Sequence, residues 1–185
     1  EMVSDLQKAQ KEREDKLRFE KELELAKAIQ SALVARESPN IPGYEISFTY
    51  IPARTVGGDY VDFFYTVDRC LSAVIADVSG KGVPAALVVS MVKSLSKLII
   101  PRLESPARAL LEINRSLRPD LRRGDFVTMQ IAKLDPQTGD VCVSAAGHLP
   151  AILVNSSEIE WIHNYSIALG IVDEGKFAKN NHEIT

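Results

Sequence analysis

The pattern of apolar and polar positions changes abruptly near residues 39–43. Before this point, residues 1–35 contain no proline or glycine and carry dense charges of both signs, which predicts one long exposed helix. After it, short apolar runs separated by turn residues predict strands and buried helices. We therefore divide the chain into an N-terminal helix, residues 1–36, and a layered domain, residues 37–185.

The layered domain is predicted to have strands at both ends and two consecutive helices between them. The first helix runs from residue 83 until Pro101, and the second covers residues 106–117 with Ser105 as a candidate N-cap. Predicted strands cover residues 44–51, 60–67, 70–76, 126–134, 141–145, 151–154 and 158–162. This order indicates an α+β fold instead of alternating βαβ units.

Two aspartates carry the candidate chemistry, each at the end of an apolar run and beside glycines. Residues 60–67 and 70–76 predict an antiparallel hairpin, which would bring Asp59 and Asp77 to the same edge of a sheet. Carboxylate oxygens suit hard cations, and glycine lets main chain approach a metal closely. The neighbouring glycines expected to shape the loops are Gly57, Gly58, Gly80 and Gly82. The sequence therefore predicts a shared site for divalent metal ions.

Composition excludes some classes of function. The formal net charge is −3 and the sequence pI is about 5.7, which argues against a nucleic-acid binder. Cys70 and Cys142 lack metal-binding spacing and fit a reducing compartment. We expect no apolar stretch near the roughly 20 residues that cross a bilayer, and no signal peptide, so a cytoplasmic location is expected.

Three further features can each be interpreted as structural or as functional. The stretch from Ser79 to Gly82 fails the phosphate-loop pattern, so Lys81 is expected to face solvent, with a role near an anionic substrate left open. His148 has no second histidine at ligand spacing and is interpreted as structural or supporting. The N-terminal helix either lies solvated against its own domain or pairs with a second copy as a weak, switchable parallel dimer.

Six ordered motifs resemble one family. From about residue 23 to 175 the chain resembles the SpoIIE/RsbU-type branch of the PPM metal-dependent serine/threonine protein phosphatases. The matching stretches are residues 23–30, 57–63, 77–87, 134–139, 145–150 and 168–170. The resemblance implies an α-β-β-α sandwich around two Mn²⁺ or Mg²⁺ ions.

The resemblance also implies roles for individual residues. Asp59 would bridge both ions, Asp77 would bind one of them together with the backbone carbonyl of Val78, and Arg54 would bind phosphate. Two such ions activate a water for attack on a phosphate monoester, so no covalent intermediate is needed. The implied substrate is a phosphoserine on a STAS-type anti-sigma-factor antagonist.

The family continues with a further strand and a metal-binding aspartate that this chain does not reach by Thr185. We therefore expect a C-terminally incomplete domain with weak metal binding and slow or absent turnover. A catalytically dead interaction module and a phosphatase of small metabolites remain alternatives. The start of the helix resembles the exit of a HAMP module, which implies membrane attachment only through an upstream segment. A homodimer through this helix would dock on residues 83–118 and shift the loop that bears Asp77.

Overall fold

Mixed helices and strands make up the computed structural model, which describes residues 2–52, 56–163, 166–172 and 179–183. The helices are α1 (Met2–Ser31), α2 (Val83–Ile99) and α3 (Pro106–Leu117), with short 3₁₀ turns at Ile100–Arg102 and Arg118–Asp120. The strands are β1 (Asp59–Tyr65), β2 (Leu71–Val78), β3 (Val127–Leu134), β4 (Asp140–Ala146), β5 (Ala151–Val154), β6 (Ile159–Ile162) and β7 (Lys179–Glu183). The predicted α+β class is confirmed.

A five-stranded antiparallel sheet in the order β1-β2-β3-β4-β7 forms the centre, and β5 and β6 form a second, two-stranded sheet. The predicted hairpin is confirmed, with its register running from Asp59 opposite Asp77 to Tyr65 opposite Leu71. Neighbouring antiparallel strands alternate in direction. Consequently the start of β1, the end of β2, the start of β3 and the end of β4 all lie at one end of the sheet.

The main core lies between this sheet and the layer formed by α2 and α3. Val89, Val92, Leu110 and Ile113 are fully buried there, because both helices place apolar residues on one face. The predicted bounds of α3 are confirmed, and its cap is Ser105, whose Oγ accepts a hydrogen bond from Arg108 N. A smaller cluster joins β4 to β6.

The predicted strand over residues 44–51 is wrong, because this segment has no strand ladder and only Tyr44 forms an isolated bridge with Ile41. Burial nevertheless alternates along it, and the Phe48 ring packs edge-on against Phe63 with centroids 5.6 Å apart. The alternating pattern therefore reports a half-buried segment that packs through side chains without backbone pairing.

Residues Val83–Arg102 form a 20-residue stretch long and apolar enough for a membrane span, with a mean hydropathy of 1.7 over an 18-residue window. The expectation that no stretch approaches this length is therefore wrong. Core helices meet the same criterion, and α2 packs on the central sheet through Val89 and Val92.

Two ends of the chain also differ from expectation. Helix α1 ends at Ser31, before the end predicted at residues 35–36, and Val34 beyond it joins the main core. Strand β7, which pairs with β4, was not predicted. Its polar sequence, Lys179–Glu183, has none of the apolar alternation that signals a half-buried strand.

Candidate active site

Asp59 and Asp77 face each other across the first strand pair, at the end of the sheet where β1 begins and β2 ends. Both residues are exposed. Partial burial and the nearby charge of Asp59 raise the pKa of Asp77, while His148 opposes this shift. Two carboxylates held this close repel each other, and a cation between them would relieve the repulsion.

Gly58 brings a second stretch of main chain against this pair. A Cβ added at Gly58 would lie 2.5 Å from the carbonyl oxygen of Val78 and 3.3 Å from Oδ1 of Asp77, so no other residue fits without displacement. The backbone N–H of Val78 donates to the Gly58 carbonyl at 3.0 Å. Glycine at this position therefore allows the chain before Asp59 to pack directly on the ligand-bearing end of β2.

Gln30, at the C-terminal end of α1, holds the same loop from the other side. Its Nε2 donates to the Gly57 carbonyl at 2.5 Å, and its Oε1 accepts from the Gly57 N–H at 2.9 Å. The Gln30 side chain is buried, with 5% of the residue exposed. This paired contact connects the N-terminal helix to the segment that leads directly into Asp59.

His148 lies beside the two aspartates, in the loop after β4. Its Nδ1 is 2.9 Å from Oγ1 of Thr128, and Thr128 stands opposite Asp77 in the β2–β3 register. Burial lowers the pKa of His148, although the charges of Asp77 and Asp59 oppose this effect. Gln130 fixes the loop by donating from Nε2 to the Leu149 carbonyl at 3.1 Å.

A cavity of about 440 Å³ opens over these groups. Asp59, Asp77 and His148 line it together with apolar residues that include Ile51 and Ile75. Partial burial and the charge of Asp59 raise the pKa of Tyr50. The cavity thus combines an acidic end with an apolar side.

The residues present fit a hard divalent cation in donor type. Asp59 and Asp77 supply carboxylate oxygens, and Val78 supplies a main-chain carbonyl beside them. Oxygen donors of this kind are preferred by Mg²⁺ and Mn²⁺. Within the described ranges, no group of three or more His, Cys, Asp or Glu side chains lies close enough to hold a metal. The donors that the structure describes are therefore two carboxylates and one main-chain carbonyl.

The other predicted site residues have different outcomes. Gly80 and Gly82 adopt positive φ angles of 92° and 75°, which supports their predicted role in shaping the loop after β2. Gly57 has no such steric need, because an added Cβ would meet only Asp59 N at 3.9 Å; it contributes main-chain hydrogen bonds to Gln30. Arg54 lies outside the described residues.

The sequence analysis gave Gln30 no role and interpreted His148 as structural or supporting, whereas the structure places His148 in the lining of the cavity. The signal for His148 was present in the strand order, because a loop after β4 must lie at the same end of the sheet as the start of β1 and the end of β2. Strand order gave no such signal for Gln30, since its contact joins the last turn of α1 to a loop 27 positions later.

Comparison with known proteins defines the class. The structure resembles the SiaA-PP2C domain of Pseudomonas aeruginosa, with a TM-score of 0.74 at 17% identity over 92% of this chain and 69% of that chain. The RsbU and RsbW domains of Rv1364c from Mycobacterium tuberculosis match with a TM-score of 0.59 at 25% identity, over 70% of this chain and 37% of that chain. The fold is therefore that of the PP2C, or PPM, phosphatases.

The family model for stage II sporulation protein E (SpoIIE) matches residues 67–185. The chain therefore belongs to the SpoIIE family, as its motifs predicted. Phosphoserine phosphatase RsbU of Bacillus subtilis is 28% identical over 137 residues, which are 74% of this chain and 41% of that protein. The chain thus spans less than half the length of this curated relative.

Proposed function

We propose that this chain carries the active site of a metal-dependent serine/threonine protein phosphatase of bacterial signalling. The observation that supports this most directly is the cross-strand pair of Asp59 and Asp77, backed by Gly58 and open to a cavity, in a chain of the SpoIIE family. Burial and the facing charge of Asp59 raise the pKa of Asp77, and a carboxylate perturbed in this way beside a cavity is typical of functional sites.

Asp59, Asp77 and the carbonyl of Val78 would hold the Mg²⁺ or Mn²⁺. When bound, the metal would supply charge neutralisation for the phosphoryl group and lower the pKa of a water. Gly58 and Gln30 keep the ligand-bearing segments in register. His148, held by Thr128 and disposed to be neutral, can donate or accept a hydrogen bond at the cavity without adding charge.

Phosphate release from a phosphoserine peptide, measured by malachite green with Mn²⁺, tests the proposal. We expect slow turnover that requires Mn²⁺ and falls at least about 100-fold in Asp77→Asn, since metal assistance is worth several kcal/mol. Asp15→Asn, an equal change of charge on the exposed face of α1, is the matched control. Turnover in Asp77→Asn equal to the parent would contradict the assignment. Parent and variant both inactive, with no Mn²⁺-induced rise in Tm, would favour the catalytically dead module.

We further propose the phosphoserine of a STAS-type anti-sigma-factor antagonist as the substrate, which the family resemblance supports. A purified phosphorylated STAS protein should be dephosphorylated faster than free phosphoserine or a nucleotide. Equal rates would favour the alternative of a small-metabolite phosphatase. We also propose a cytoplasmic location, which the low cysteine content supports, since Cys70 and Cys142 are the two cysteines of the sequence and lie 72 positions apart.

Helix α1 is proposed to pair with a second copy of the chain. Along α1 the apolar residues Leu17, Leu25 and Ile29 are each at least half exposed, at 50%, 64% and 59%. The described part of the chain leaves these side chains exposed, and their spacing along α1 would let them pack against a parallel helix. Sedimentation of a variant lacking residues 1–22 should give monomer where the full chain gives dimer. An unchanged dimer would contradict the helix interface.

A further inference from the structure

A small basic recess adjoins the candidate active site without sharing any lining residue with its cavity. The recess has a volume of about 140 Å³ and lies between the loop after β2 and the loop before β3. Lys81 and Arg122 line it, together with Asp125 and the apolar surface of Pro84 and Val88. Two cations at the rim and an apolar side suit a short acidic side chain.

The two loops that form the recess are held together as one unit. Ser79 N donates to the Phe126 carbonyl at 2.9 Å, and Phe126 N donates to Ser79 Oγ at 2.9 Å. Within the second loop, Asp125 N donates to the Arg122 carbonyl at 3.0 Å. The backbone positions of Lys81 and Arg122 are therefore fixed relative to each other before any ligand arrives, which lowers the entropy lost on binding.

Neither Lys81 nor Arg122 forms an ion pair with any residue in the described part of the chain, and both are exposed. Asp125 is the acid among the lining residues, so the formal charge of the lining is +1. The exposed neighbour Arg123 adds a further positive charge nearby. The recess can thus attract one anionic group.

Its position relative to the aspartates suggests which group this is. Ser79, which lines the recess, lies two residues after Asp77, a distance of about 7 Å along an extended chain. A phosphoserine placed at the aspartates would therefore bring a residue one or two positions away to the recess. We propose that Lys81 and Arg122 bind a carboxylate side chain of the phosphoprotein substrate beside its phosphoserine. This inference rests on the proposed function.

A pair of phosphoserine peptides tests the inference, one with glutamates and one with glutamines at the flanking positions. We expect kcat/KM to be higher for the glutamate peptide, and the ratio of the two values to fall as salt rises. Exposed ion pairs are weak, so Lys81→Gln or Arg122→Gln should each lower the ratio about 3-fold, and the double variant about 10-fold. Asp125→Asn should raise it about 2-fold.

Lys97→Gln is the matched control, because Lys97 is an exposed lysine near the far end of α2. It should leave the ratio at the parent value. A loss of kcat/KM in the double variant that is equal for both peptides would place the phosphoryl group itself on these cations. That result would overturn the proposal of a neighbouring carboxylate.

A binding measurement separates this inference from the phosphatase proposal. Fluorescence anisotropy of the unphosphorylated glutamate and glutamine peptides, with the 185-residue chain in EDTA, needs no turnover. We expect tighter binding of the glutamate peptide, and loss of that preference in the double variant. If the glutamate peptide binds more tightly but no Mn²⁺-dependent turnover is found, the proposal for the recess stands and the proposed function fails. If turnover is normal but the two peptides bind equally, the proposal for the recess alone is overturned. The same holds if the glutamate peptide is still preferred to the same extent in the double variant.

Discussion

Acidic residues of the first hairpin fall into two groups. Asp62 and Asp68 are each paired with a lysine, Asp62 with Lys93 and Asp68 with Lys133. Asp59 and Asp77 have no ion-pair partner in the described part of the chain and face each other. The same side-chain type, on the same hairpin, is paired with a lysine at two positions and has no such partner at the end that opens to the cavity.

The pKa shifts reflect this difference. Burial raises the pKa of Asp68, but hydrogen bonds from Lys133 and Thr66 and the Lys133 charge outweigh it and lower the pKa to about 2. For Asp77, burial and the charge of Asp59 act together and raise the pKa. Paired acids stabilise the fold, whereas the facing acids cost stability that metal binding would recover.

The largest expected effect is that of Asp59→Asn, which should lower phosphatase activity without lowering the stability of the fold. Asp59→Asn should lower Mn²⁺-dependent phosphate release at least about 100-fold, because it removes a proposed metal ligand. In EDTA the free energy of unfolding of the same variant should be equal to or higher than that of the parent, because the repulsion of Asp77 is relieved. Phosphate release and urea denaturation measure the two quantities. A clear loss of stability in EDTA would show that Asp59 is structural.

For the paired acid Asp62 we expect the opposite, namely a loss of stability with Mn²⁺ binding retained. Lys93→Met should lower the free energy of unfolding by about 2–3 kcal/mol, because the largely buried Asp62 would keep only hydrogen bonds from Tyr60 and Phe63. Urea denaturation measures the loss, and the Mn²⁺-induced rise in Tm should persist. Lys97→Met, on the same helix and exposed, is the control. A loss below about 0.5 kcal/mol would contradict a structural role for the pair.

The facing pair could be predicted from sequence because its causes are local. Two apolar runs joined by a tight turn set the register of a hairpin, and Arg69, with φ of 63°, occupies that turn. The register then determines that Asp59 stands opposite Asp77. The same local reasoning succeeds for α3, where Ser105 and Pro106 mark the start.

Long-range contacts could not be predicted in this way. The pairing of Lys133 with Asp68 spans 65 positions, and that of Lys93 with Asp62 spans 31. Each depends on how layers pack, which the pattern of apolar residues does not specify. Residues 44–51 show the converse, because their alternation correctly reports burial but not backbone pairing. Whether an aspartate has a lysine partner therefore depends on tertiary packing, whereas its position on a strand can be predicted from the local sequence.

Gln30 connects the uncompensated pair to the N-terminal helix. Gln30→Leu removes both hydrogen bonds to Gly57 and should lower the free energy of unfolding by about 1–2 kcal/mol. Residues that orient a ligand-bearing segment also affect affinity, so the Mn²⁺ concentration for half-maximal rise in Tm should increase about 10-fold. Gln10→Leu, on the exposed face of α1, is the control. Unchanged Mn²⁺ dependence with reduced stability would limit Gln30 to a structural role.

The smallest effect concerns the pH dependence of the paired acid. The pKa of Asp68 is lowered from 3.8 to about 2, so its stabilising contribution is complete above about pH 4 and is lost as the pH falls through about 2. Asp68→Asn lacks this contribution at every pH. The difference in free energy of unfolding between parent and variant, from urea denaturation, should be constant above pH 4 and shrink toward pH 2. A difference that instead grew toward acid pH would mean that Lys133 does not stabilise the ionised carboxylate.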